Sequence, residues 1–226
     1  MTDPALELLP WFAQTGADIA PCAPLAYSAS LVPGKRPSLL LESAGSADPT
    51  GKLYPGVLWA PGSAGKAAPR PTAPYTGNVA FDFEFMVDSA TVAGGNTLET
   101  DAVFVKNGLK YNGSFQRKIG SGELDIGGWT KTGLSAGEIA PDVWHPASTV
   151  WFLNETAKTL AFVAYVCDGV TYPAPAGLAS IAATACDWID TVDGSAGVVY
   201  NQLQHNLLPS GAPMLTRYRG VANRFW

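Results

Sequence analysis

Glu99 and Asp101 stand two residues apart in TLETDAVFVK, residues 97–106, a segment whose composition reads as a β-strand. Successive strand side chains alternate faces, so both carboxyls point the same way. Asp82 and Glu84 repeat the pattern in VAFDFEFMVD, one strand earlier. Paired carboxyls on a sheet face can cut glycosidic bonds, and retaining hydrolysis needs them about 5–5.5 Å apart. Same-face neighbours on one strand are about 6.5–7 Å apart at the backbone, so the spacing of Glu99 and Asp101 does not exclude it. Glu84, arriving from another strand, is the alternative partner for Glu99. The same carboxyls also serve as an ordinary hydrogen-bonded or solvated sheet face.

Saccharide binding asks for different residues, flat aromatic faces and amides along a groove. Tyr111, Gln116 and Trp129 are the candidates beside Glu99 and Asp101, with Trp59 and Asn112 behind them. Trp144 and Trp151 flank an apolar hairpin and are expected in the core. Asp187, Asp190 and Asp193 are turn carboxylates of the kind that suit calcium, but their spacing matches no calcium loop, so no cofactor is expected. Cys22, Cys167 and Cys186 form no CxxC pattern and only His145 and His205 are present, which points away from a zinc site. A Cys167–Cys186 disulfide and buried free thiols are both open, the former being the best pairing.

These residues must be positioned by strands. The 226-residue chain is 47% hydrophobic and only 15% charged, and its 24 Gly and 18 Pro imply many turns. Seven Trp add to the look of a secreted β protein, although MTDPALELLPWFAQ carries no legible signal peptide. An extracellular or periplasmic location is therefore expected, with the cytoplasm as the alternative. A net charge of −5 with scattered Lys and Arg argues against a nucleic-acid partner. No apolar run is long enough to span a membrane.

The chain reads as one domain over residues 1–226. Residues 1–36 form an N-terminal extension on its body, and residues 60–77 form a Pro/Ala/Gly-rich loop. Strands are expected at 38–42, 57–59, 78–88, 97–106, 109–118, 123–126, 129–132, 144–153, 158–167, 170–172, 197–205, 214–218 and 221–226. Asn107-Gly108 should close a hairpin. The strand at 158–167 looks apolar on both faces, hence doubly buried. A short helix is expected near residues 180–188. Many short strands with frequent turns predict an all-β sandwich.

PDVWHPASTVWFLNETAKTLAFVAYVCDGVTYP resembles the hairpin of concanavalin A-like jelly rolls, in which a Trp-His pair opens one strand and Asp-Gly ends its partner. Here these are Trp144-His145 and Asp168-Gly169. YPGVLWA, VAFDFEFMVD, TLETDAVFVKNG, GWTKTGL and VVYNQLQ fall in the order found in a bacterial group of such secreted domains, so the resemblance covers residues 37–226. It implies a jelly-roll sandwich of two antiparallel sheets, a fold that hosts lectins, glucanases and lyases alike. The glucanase branch carries Glu-x-Asp-x-x-Glu. Glu99 and Asp101 match, but the third place falls on Phe104, or on Val105 if the strand is bulged, and neither transfers a proton. A lyase of this fold would use a His or Tyr base with Arg, Lys, Gln or Asn on the uronate carboxylate. Tyr111, Gln116, Arg117 and Lys118 have that chemistry, yet Tyr111 and Gln116 are five apart and face opposite ways. His145 is read as a structural partner to a neighbouring strand. The leading expectation is a lectin-like domain that takes a polysaccharide or oligosaccharide on its concave sheet at Glu99, Asp101, Tyr111, Gln116 and Trp129. The alternatives are a hydrolase or lyase using Glu99 with Glu84 or Asp101, and a structural domain without ligand.

Overall fold

The computed structural model describes residues 74–93, 96–127, 130–185 and 213–226, together with strand segments at 11–13, 27–28, 38–43, 56–59 and 198–206. In chain order the strands are β1 (Trp11–Ala13), β2 (Tyr27–Ser28), β3 (Ser38–Ser43), β4 (Gly56–Trp59), β5 (Thr76–Val87), β6 (Thr97–Lys106), β7 (Leu109–Lys118), β8 (Glu123–Ile126), β9 (Thr130–Ser135), β10 (His145–Asn154), β11 (Thr159–Cys167), β12 (Val170–Pro173), β13 (Ile181–Ala182), β14 (Thr184–Ala185), β15 (Val198–Asn206) and β16 (Met214–Phe225). One short helix, α1 (Ser89–Ala93), follows β5. Its start is set by Asp88, whose Oδ1 accepts the Thr91 amide at 2.7 Å as an N-cap.

The strands build two antiparallel sheets, as the sandwich reading requires. The first runs β1-β4-β15-β6-β7-β8-β9 and the second β12-β11-β10-β5-β16-β3-β2. Register follows from side-chain alternation. In the first sheet Leu98, Ala102, Phe104, Tyr111, Phe115, Leu124 and Ile126 turn inward, and in the second Phe81, Phe83, Phe85, Trp151, Leu153, Leu160 and Tyr218 meet them. The inward ring of Phe115 stacks on Tyr165 at 4.6 Å between centroids, so aromatic contacts cross from sheet to sheet. The Asn107-Gly108 hairpin forms as its sequence demands, with φ of 51° and 70° at the two turn residues.

Gly113 lets the two sheets close. A Cβ at that position would meet Trp151 Cε2 at 2.6 Å and Leu160 Cδ2 at 3.0 Å. Trp151 is fully buried and sits on this bare backbone. Gly113→Ala is therefore expected to cost about 1–3 kcal/mol by overpacking. At about 2–4 °C per kcal/mol for a chain of this size, a melting curve should fall by several degrees; an unchanged curve would show that the indole does not press on the strand.

Three expectations differ from the structure. The segment expected as helix opens instead with β13 and β14, because Ile181–Ala182 pairs with β11 of the second sheet and Thr184–Ala185 with β7 of the first. β11 is not buried on both sides: a bulge beside Val150/Trp151 turns Val163 outward, where it is 36% exposed. The terminal strands are one, β16, bent by a bulge between Arg219 and Ala222 where Gly220 takes φ 62°. Residues 1–36 and 60–77, the proposed extension and loop, fall largely outside the described residues.

Candidate polar site on the first sheet

Glu99 and Asp101 lie on the face of β6 that turns away from the inter-sheet core. The register places Glu99 opposite Gln116 of β7 and Gln204 of β15, and Asp101 opposite Ser114. Gln116 is opposite Asp125 of β8 on its other side. One row thus reads Gln204, Glu99, Gln116, Asp125 across four strands. β6 is buried along its entire length, so this polar face is enclosed. A hydrogen-bond relay ties it together. Ser114 Oγ donates to Glu99 Oε1 at 2.7 Å, and Gln116 Nε2 donates to Ser114 Oγ.

Electrostatics divides the acids. Burial, then the charge of Glu99 alongside, push the Asp101 carboxyl well above the ordinary carboxylate range, and the nearby Lys110 offsets only part of this. Asp101 therefore holds its proton to higher pH than an ordinary carboxyl does, and in its protonated form it can donate as well as accept. Desolvation also raises Asp125, with the Lys118 ammonium 3.8 Å away pulling the other way. Among the described residues, four buried oxygens on this face find no hydrogen-bond donor: Asp101 Oδ1, Asn112 Oδ1, Gln116 Oε1 and Asp125 Oδ1. Leaving such an acceptor unmatched costs about 1–3 kcal/mol.

Other expected site residues go elsewhere. Glu84 sits on β5 in the second sheet, on its outer side, where Arg219 donates Nε to Glu84 Oε2 at 2.7 Å. The same guanidinium lies 3.9 Å over the Trp144 ring, which is therefore a surface platform and not core. Asp82 is held likewise by Arg224. Alternation sends Asp82 and Glu84 outward because Phe81, Phe83 and Phe85 must fill the core, so Glu84 cannot pair with Glu99. Tyr111 is buried in the core cluster and edges a hollow of about 390 Å³ at the end of the sandwich, beside Lys106, Leu109 and Glu155. It faces away from Gln116, as their spacing implied, and leaves the site. Arg117 also points inward, donating to Tyr165 OH at 3.1 Å and to Cys167 Sγ at 3.3 Å. Trp129 and the three turn aspartates lie outside the described residues, as does the side chain of Trp59.

The catalytic comparison sharpens too. β6 pairs without a bulge from Thr97 to Lys106, so Phe104 faces the core and Val103 and Val105 share the face of Glu99 and Asp101. The strand carries no third acid. Cys167 is a free, buried thiol and not half of a disulfide. The physical reason is distance: Ala182 pairs with Thr159 at the far end of β11, about 25 Å of strand from Cys167, and a disulfide needs Cα atoms within about 7 Å. The position preceding Cys186, Ala185, is fixed against Leu109 of the opposite sheet.

The architecture is thus an all-β jelly-roll sandwich with an acidic, amide-rich face on one sheet. Comparison with solved structures agrees on the fold. The chain is similar to an endo-β-1,4-glucuronan lyase from the fungus Trichoderma reesei, with a TM-score of 0.53 at 10% identity over 94% of this chain and 89% of that one. It is also similar to the alginate lyase AlgAT5 of polysaccharide lyase family 7, at TM-score 0.44 and 8% identity over 84% and 78% of the chains. A GH131 β-glucanase catalytic domain from Podospora anserina gives TM-score 0.41 and 18% identity over 84% and 73%. No family model and no curated protein matches the sequence.

Proposed function

We propose that this protein binds a saccharide at the polar face of its first sheet, with Glu99, Asp101 and Gln116, only 1–8% exposed, at the centre of a site that the ligand enters by displacing what buries it. The observation that carries this reading is the group of four buried acceptor oxygens that find no partner among the described residues, beside a carboxyl whose pKa is raised. Sugar hydroxyls are donors and acceptors at once, and a row of carboxyl and amide oxygens is complementary to them. The raised pKa of Asp101 supports the reading, because a carboxyl that keeps its proton to higher pH offers a donor as well as an acceptor. The resemblance to solved lyases and a glucanase supports a carbohydrate ligand as an analogy of fold.

A second reading, an inverting glycoside hydrolase, is favoured by the row itself. Glu99 and Asp125 sit on strands two apart, about 9.5 Å at the backbone. Inverting enzymes hold their carboxyls about 6.5–9.5 Å apart, with the acid raised in pKa, as Asp125 is. Glu99 with Asp101 is too close for the retaining arrangement, because the two carboxyls touch.

One experiment separates the readings: a glycan array with a polysaccharide-degradation assay, run on wild type, Glu99→Gln, Gln116→Ala, Asp125→Asn and Glu84→Gln. Binding without product is expected for wild type, and Gln116→Ala should weaken it about five- to tenfold, the worth of one or two hydrogen bonds. Glu84→Gln, on the other sheet, should change nothing. Product that disappears in both Glu99→Gln and Asp125→Asn would replace the binding reading with the hydrolase. Silence in both assays would leave neither.

A further inference from the structure

We propose that His145, Cys167 and Asp168 form a binding site for a divalent transition-metal ion, of which zinc suits the donor set best. The site is on the second sheet and is independent of the polar face described above. His145 opens β10, Cys167 ends β11, and Asp168 begins the turn to β12. The antiparallel pairing of β10 with β11 brings Ala147 opposite Cys167 and so draws the three together, though 22 positions separate the first two in sequence.

One nitrogen, one sulfur and one carboxylate oxygen from these residues all lie within 4.8 Å of one another. Nδ1 of His145 is 2.7 Å from Asp168 Oδ2, and Cys167 Sγ is 3.6 Å from the same oxygen. Tetrahedral zinc, with bonds of about 2.0–2.3 Å, needs its donors roughly 3.3–3.7 Å apart. The sulfur–oxygen distance already meets this. The nitrogen–oxygen distance must open by about half an ångström, and the Asp168 side chain, 48% exposed, is free to turn outward and provide it.

The surroundings fit a ligand set. His145 Nε2 lies 2.8 Å from the Ala140 carbonyl, which only accepts, so Nε2 carries a hydrogen, while Nδ1 faces the Asp168 carboxyl and ligates by exchanging any hydrogen held between them for the metal. The ring is packed on Phe85, 5.3 Å between centroids, which holds its plane. Arg117 meets the Cys167 sulfur at 3.3 Å from the interior. That guanidinium closes the inner approach, so an ion enters from the Asp168 side and keeps a water in its fourth position. A thiolate, imidazole and carboxylate set selects zinc or cobalt over magnesium and calcium.

The test uses the full chain with Cys22→Ser and Cys186→Ser, so that Cys167 is its one thiol, and wild type beside it in case that background folds poorly. Each is titrated with zinc and with cobalt. The expected result is about one equivalent bound, a melting temperature that climbs with zinc but not with magnesium, and a thiolate-to-cobalt charge-transfer band in the near ultraviolet. Cys167→Ser should abolish the band. Asp168→Asn, which keeps the left-handed conformation of this position (φ 53°) because Asn tolerates it, should weaken zinc binding about tenfold or more. A melting temperature indifferent to zinc, or a cobalt band that survives Cys167→Ser, would overturn the proposal.

Discussion

Asp101→Asn is expected to raise the melting temperature at pH 8 while leaving it unchanged near pH 3. The reasoning starts from burial. Asp101 is 5% exposed on a strand with no exposed residue, and Glu99 lies against it. Both effects disfavour its carboxylate, so its folded pKa stands well above the value of about 3.9 that it has when unfolded. Below the unfolded value the carboxyl is protonated in both states and contributes no pH dependence. As pH rises, the unfolded chain releases its proton and the folded chain does not. Stability therefore falls until pH passes the folded pKa, by about 1.4 kcal/mol for each unit between the two values. Asn keeps the shape and a donor and cannot ionise, so the variant should lack this decline and melt several degrees higher at pH 8. Thermal melts of both proteins from pH 3 to pH 9 check it; curves that stay parallel would mean that Asp101 is ionised in the fold. The same substitution tests the role of the proton in the site. Asp101→Asn should retain saccharide binding, whereas Asp101→Ala, which has no donor, should weaken it.

The architecture was legible because strands announce themselves locally. Phe81, Phe83 and Phe85 alternate with polar residues, and the core faces follow at once. The Asn-Gly turn fixes the register of β6 against β7, and that register alone puts Glu99 beside Gln116. The site was only partly legible, because partnership across sheets is not a local property. Asp82 and Glu84 have the same spacing as Glu99 and Asp101, yet the topology puts the two pairs on different sheets. Nothing in VAFDFEFMVD distinguishes the solvent side of an outer sheet from the enclosed face of the other. Gln204 and Asp125 were missed for the same reason, since they enter the row through β15 and β8. Alternation within ELDI and VVYNQLQHN, combined with the hairpin register, was the signal that could have found them. Of the two states left open for Cys167, the buried free thiol is the one found; pairing with Cys186 assumed a short connection, while the intervening chain crosses from one sheet to the other.

His205→Gln is expected to protect the protein from acid. His205 is on β15 and turns inward, fully buried, with Nε2 2.7 Å from Thr216 Oγ1 of β16. The bond joins the two sheets through the core. Desolvation holds the imidazole neutral and depresses its pKa to about 3, against 6.5 when exposed. A depressed pKa on a base means that the unfolded chain takes up a proton which the folded chain refuses. The stability is complete above pH 6.5 and is lost as pH falls toward 3. At pH 4.5 the loss from this residue alone is about 3 kcal/mol. Asp101 acts in the opposite sense over part of that interval, gaining as pH falls, so the wild-type profile between about pH 4 and 6.5 is a difference of two trends. Gln can still bond Thr216 and has no proton to take up. His205→Gln should therefore lose a little stability at pH 8, where packing is imperfect, and exceed wild type at pH 4.5. Denaturant midpoints at the two pH values read the crossing directly. A variant weaker than wild type at both, by the same amount, would show that His205 is protonated inside the fold.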